Sequence, residues 1–166
     1  MMGGVAMFHA MFEIPGEPKA KQSGRLGTVP DAHSKTGFRA IMFPDKDVKQ
    51  WQNLVVMAGR SVTPLVPLAV PLRVEVVATF ARPKNLTERY KDGRLKNGAL
   101  EGRMYYDQKP DGDNVLKGIK DSLQQAGFCD DDKRFVVEVV CRYYVAIGEA
   151  PAVTVEIEEL DASDPV

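Results

Sequence analysis

Residues 109–123 read KPDGDNVLKGIKDSL, placing Asp111, Asp113, Asn114 and Lys117 close together at the start of an amphipathic stretch. A second acidic run, CDDDKR at 129–134, follows that stretch. Crowded carboxylates repel one another and shift each other's titration unless a hard cation lies between them. Around magnesium such a group generates a nucleophilic water and neutralises charge on a phosphoryl oxygen. A solvated helix start, capped by Asp113 and favoured by the helix dipole, accounts for the same residues without an ion. Lys117 has the same two readings: an i,i+4 partner of Asp113, or a cation beside a phosphate. A calcium loop begun at Asp107 is excluded, because Gly118 falls at the twelfth position, where a bidentate glutamate is required.

The elements that would position these groups are legible in the pattern. Val115, Leu116, Ile119, Leu123 and Ala126 recur at helical spacing, which predicts a helix from an Asp113 cap to a stop at Gly127. If Asp111 and Asp113 lie in extended backbone before it, both carboxylates face one side. The aspartate run sits beyond the far end of the helix, so the two acid groups meet only by tertiary contact. Strict alternation of Phe135, Val137, Val139, Cys141, Tyr143 and Val145, with Glu138 and Arg142 opposite, predicts a strand, and AVTVEIEEL (152–160) predicts the last one. Upstream, 5–14 reads as a strand stopped by Pro15 and Gly16. A helix over 45–61 is capped by Asp45, with Val48, Trp51, Leu54, Val55 and Ala58 on its apolar side, and 72–81 reads as a strand. Residues 16–38 read as a loop with a short extended piece following at 38–43, and 84–108 as a long polar loop, functional or mobile.

At 166 residues the chain suits one domain, expected over 1–160 with a disordered acidic tail at 161–166. Apolar residues at 44% and charged ones at 27% place it among globular proteins, and no apolar run approaches the roughly 20 residues of a membrane span. The opening MMGGVAMFHAMF lacks the basic start and cleavage site of a secretory signal. Two cysteines, Cys129 and Cys141, and two histidines argue against a structural zinc site and suit a reducing cytosol. A net charge of −1 conceals basic stretches at 15–25 and 82–103.

KPDGDNVLKGIKDSL, followed by GFCDDDKRFVVEV, resembles the signature of the RusA-type Holliday-junction resolvases of bacteria and prophages. FEIPGEPKAKQSGR and FARPKN extend the likeness over most of the chain. The resemblance implies a dimeric α+β fold, a small mixed sheet of about four to five strands packed with two main helices. It implies a cytoplasmic endodeoxyribonuclease that resolves four-way junctions by paired nicking, leaving 5′-phosphate and 3′-hydroxyl ends, in DNA recombination and repair. Its carboxylates map onto Asp111, Asp113 and the pair Asp131 and Asp132 as ligands of Mg2+, with Mn2+ able to substitute, leaving Asp130 as an extra acid. Asp111, Asp113, Asp132 and Lys117 would be catalytic. A polyanion needs flanking cations, and Lys19, Lys21, Arg25, Arg82, Lys84 and Lys109 are the candidate phosphate contacts. Tyr143, Tyr144 and Val145 are candidates for the homodimer interface. The alternatives are a junction-binding module of the same fold without cleavage, for which a carboxylate should be missing and none is, and an interaction protein with a structural metal.

Overall fold

A computed structural model of the protein describes residues 7–19, 25–43 and 45–161. Its strands are β1 (His9–Pro15), β2 (Arg25–Pro30), β3 (Phe38–Phe43), β4 (Leu72–Phe80), β5 (Met104–Tyr105), β6 (Phe135–Tyr144) and β7 (Ala152–Glu159); its helices are α1 (Lys46–Arg60) and α2 (Gly112–Gln125). The fold is α+β: a five-stranded mixed sheet in the order β1-β7-β4-β6-β5, and a separate two-stranded ribbon, β2-β3. Only β4 and β6 run parallel. A parallel pair needs a crossover connection, and α2 lies within it.

Both helices cover one face of the sheet. Two glycines let them approach: a side chain on Gly59 would meet Leu123 at 3.2 Å, and one on Gly118 would meet the Trp51 ring at 3.3 Å. Between helices and sheet lies the core, with Phe12, Ile14, Val55, Val74, Ile119, Leu123, Phe128 and Val155 all buried. Each such side chain stabilises the fold by about 1.5–3 kcal/mol in transfer from water. α2 ends as expected: Gly127 takes φ 81°, and the Phe128 amide donates to the Leu123 carbonyl at 3.0 Å.

Three expectations are corrected. Residues 25–30 form β2, a strand that RLGTVP conceals because its glycine and proline break any alternation; its register with β3 supplies the pairing. On α1 the buried face comprises Val48, Trp51, Val55, Val56 and Gly59, while Leu54 is 44% exposed. The third concerns β6. Its register against β4 shifts between Leu72/Phe135 and Arg73/Val137, so the alternation changes face there. Phe135 enters the core, but Val137, Val139, Cys141 and Tyr143 join the uncovered face, in register with Arg73, Glu75, Val77 and Thr79. Glu138, Val140, Arg142 and Tyr144 face the helices instead. Both cysteines are free thiols.

Candidate active site

The start of α2 is set one residue pair earlier than the sequence predicts. Asp111, not Asp113, holds the N-cap position with extended backbone at φ −67°, ψ 157°, and Asp113 lies in the first helical turn. The two carboxylates therefore do not share a side by strand alternation, since the backbone between them is already helical. Asp111 makes no side-chain cap and instead accepts from the Asn114 side-chain amide at 2.8 Å. That hydrogen bond, its own backbone, and the charges of Lys109 and Arg142 hold its carboxyl below the ordinary aspartate value. Asp113 and Lys117 are exposed, and neither has a hydrogen-bond or ion-pair partner among the described residues.

The aspartate run divides its labour. Asp130, the extra acid, is bound by the Arg134 guanidinium at 2.7 and 2.6 Å, which lowers its proton affinity. Asp131 caps the 3-10 turn Asp132–Arg134 by accepting from the Lys133 amide at 3.0 Å, and its carboxylate pairs with Lys133 Nζ at 3.1 Å. The amide first, then the ammonium, holds its carboxyl low. Asp132 is half-buried, has no cationic partner among the described residues, and its side chain hydrogen-bonds to that of Asp131. Beneath the run, the Leu68 amide donates to the Phe128 carbonyl at 3.0 Å, and the Asp130 amide to the Leu68 carbonyl at 3.2 Å. Burial, then the neighbouring Asp130 charge, pushes the Cys129 thiol up.

Within the chain the two acid groups do not converge. Gly112 lies against Val140 and Arg142, whereas Lys120, further along α2, pairs with Glu138 at 2.6 Å, so α2 runs back along β6 toward its start. Asp132 precedes that start. With a strand rise of roughly 3.3 Å per residue, the acids are on the order of 20 Å apart along β6. Among the described residues, the one trio of possible ligands whose donor atoms lie within 4.8 Å of one another is His9, Glu156 and Glu158, on the uncovered face of the sheet.

The cations are sorted in the same way. A cleft of about 330 Å³ between the start of α1, the end of β4 and residues 109–110 brings Lys19 and Lys109 together, with Glu17, Asp45 and Asp47 on its walls. Lys19 lies 4.0 Å from Glu17, and Glu17 accepts from the Ala81 amide at 2.7 Å. Arg82 is turned inward: it donates to the carbonyls of Val145 and Leu100, each at 2.6 Å, and of Gly102, so it latches the long loop. Within that loop Arg89 pairs with Glu101 at 2.8 Å, Arg94 with Asp92 at 2.8 Å and Lys96 with Glu88 at 3.6 Å. The Lys84 ammonium is exposed, with no ion-pair partner among the described residues. Arg25 opens β2, and Lys21 lies outside the described residues, as does the tail beyond 161. Of the residues suggested for an interface, Tyr143 lies on the uncovered face against Tyr105, but Tyr144 packs on Tyr106 and Val145 is 7% exposed.

Arg142 and Tyr106 were not singled out by sequence. Arg142 Nη1 donates to the carbonyls of Gln108 and Pro110, both at 3.0 Å, and the Tyr106 hydroxyl donates to the carbonyl of Lys109. The only available signal was negative: Arg142 interrupts one side of a strand otherwise rich in apolar residues.

Exposed oxygen donors beside unpaired ammonium groups suit a hard cation next to a phosphate. Asp111, Asp113 and Asp132 fit magnesium in donor chemistry, since none of the three is tied up by a cationic side chain. Residues 15–158 match the family Endodeoxyribonuclease RusA, and the chain belongs to that family. It is thereby an endodeoxyribonuclease of a family that resolves Holliday junctions. The uncharacterized protein YqaN of Bacillus subtilis (strain 168) is similar: 30% identical over 152 residues, 91% of this chain and 96% of that protein. Among the described residues, no helix is long and apolar enough to cross a membrane.

Proposed function

We propose that this protein resolves four-way DNA junctions by metal-dependent paired nicking, leaving 5′-phosphate and 3′-hydroxyl ends, in recombination and repair in the cytoplasm. The observation that carries the reading is the set of uncommitted charges in the family motif: the side chains of Asp113 and Lys117 have no protein partner among the described residues and Asp132 has no cationic one, while charged neighbours such as Asp130 and Arg134 are paired. Leaving charge unpaired beside other charge costs stability, a cost that a bound cation and phosphate offset.

One domain over 1–160 acts, with 161–166 as a tail. Asp111, Asp113 and Asp132 hold Mg2+, or Mn2+ in its place, with Asp131, which pairs with Lys133, as a further ligand or as an outer partner that orients one. The ion supplies an activated water and neutralises charge on the phosphoryl oxygens. Lys117, one helical turn from Asp113, stabilises the charge that develops on the phosphate. Lys19, Lys21, Arg25, Lys84 and Lys109 contact the DNA backbone, and Arg82 holds the loop that follows Lys84. The active form is a homodimer: a single chain leaves Asp113 and Asp132 at opposite ends of α2, so a second copy is the simplest source of the missing carboxylate. Two-fold symmetry also matches two equivalent cuts.

Incubation with synthetic four-way junctions, with and without magnesium, tests the reading; symmetric nicks only with the ion are expected. Junction binding without nicks would instead mark a binding module. Sedimentation showing only the 18.3 kDa monomer at micromolar protein would overturn the dimer.

A further inference from the structure

We propose that Arg142 and Tyr106 are positioning residues that clamp the backbone before α2 and so set the aim of Asp111. The proposal rests on the nuclease reading above and concerns how the motif is held. Three successive carbonyls, those of Gln108, Lys109 and Pro110, lead into the N-cap aspartate, and each accepts from one of these two side chains. The segment needs such partners. β5 ends at Tyr105, so beyond the Tyr106 amide, which donates to the Arg142 carbonyl at 3.1 Å, the sheet offers no ladder to these residues.

The clamp is anchored in the core. The Tyr106 ring stacks on Phe80 at 3.8 Å between centroids, 10° from parallel, and meets Tyr144 edge-on at 4.9 Å. The Arg142 guanidinium lies 5.9 Å from the same ring. Gly112, the residue after Asp111, sits so close to β6 that a side chain there would meet Val140 at 3.2 Å. Core, ring, guanidinium and carbonyls thus form one continuous support behind Asp111. Outer partners of this kind orient metal-binding side chains, and their loss typically costs about 10–100-fold in metal affinity or activity. Arg142 therefore acts through the loop and not on DNA.

The test uses the full-length protein, with Mn2+ titrated by electron paramagnetic resonance alongside single-turnover nicking of a saturated junction. Arg142→Ala is expected to weaken Mn2+ binding and slow nicking by about 10–100-fold, with junction affinity in metal-free buffer unchanged. Tyr106→Phe keeps the stack, loses the carbonyl bond, and should weaken Mn2+ binding in the same direction by a smaller factor. It also decides the matter if Arg142→Ala fails to fold. Arg142→Met keeps an unbranched apolar stem but loses both carbonyl bonds, so wild-type Mn2+ affinity and nicking in that variant would overturn the clamp. So would wild-type Mn2+ affinity in both Arg142→Ala and Tyr106→Phe, or a loss confined to junction affinity. A wild-type protein that neither nicks nor binds Mn2+ would instead overturn the nuclease reading and, with it, the role assigned to the clamp.

Discussion

Two regions gather carboxylates and cations, and they treat them in opposite ways. On the uncovered face of the sheet, His9 meets Glu156 at 2.8 Å, and Arg73 binds both Glu75 and Glu158, the latter at 3.3 Å. In the motif, the side chains of Asp113 and Lys117 are left without protein partners, and Asp132 without a cationic one, among the described residues. The sheet cluster has the tighter ligand geometry, yet its carboxylates already have side-chain partners, Glu75 and Glu158 on Arg73 and Glu156 on the His9 ring. Compact ligand geometry and uncommitted charge thus fall in different parts of the molecule.

The largest effect should come from the motif carboxylates. Asp113→Asn removes a ligand while keeping shape, and nicking in single turnover should fall by more than the roughly 10–100-fold that an outer-shell partner contributes, with junction binding kept or tightened. Asp111→Asn and Asp132→Asn should behave alike; wild-type rates in these variants would remove the motif from the chemistry. Next, Lys117→Ala should slow nicking by about 100-fold, the scale of one lost charge-stabilising group. Its melting temperature should barely move, because no ion pair is broken. An unchanged rate would return Lys117 to a solvated helix face.

The sheet cluster should give the converse. Glu156→Gln is expected to leave Mn2+ affinity and nicking as they are, and to change stability by less than about 1 kcal/mol, as for exposed pairs. A collapse of metal binding there would reverse the comparison. The smallest effect concerns Asp130. Arg134 depresses its carboxyl, so the pair's stabilisation is complete above the ordinary aspartate value of about 3.9 and is lost as pH falls through the lower folded-state value. Denaturation curves of wild type and Arg134→Gln should differ by a constant amount at neutral pH and converge in the acid range; curves parallel down to pH 3 would dissolve the pairing.

Sequence alone determined what local chemistry determines. The α2 apolar stripe, its glycine stop, the Asp45 cap of α1 and the alternation of β6 and β7 follow from side-chain period and backbone preference over short spans. The order and identity of the motif residues sufficed to name the family, because that signature is linear. Tertiary structure decided the rest. Alternation reveals a period but not a face, so only the register shift against β4 turns Val139 and Cys141 outward and Arg142 toward α2. A run of three aspartates does not say which is paired; Arg134 takes Asp130 and Lys133 takes Asp131 because of how the turn closes. Whether acids at the two ends of a helix meet depends on the direction in which α2 returns along β6, a long-range packing outcome that no local pattern encodes.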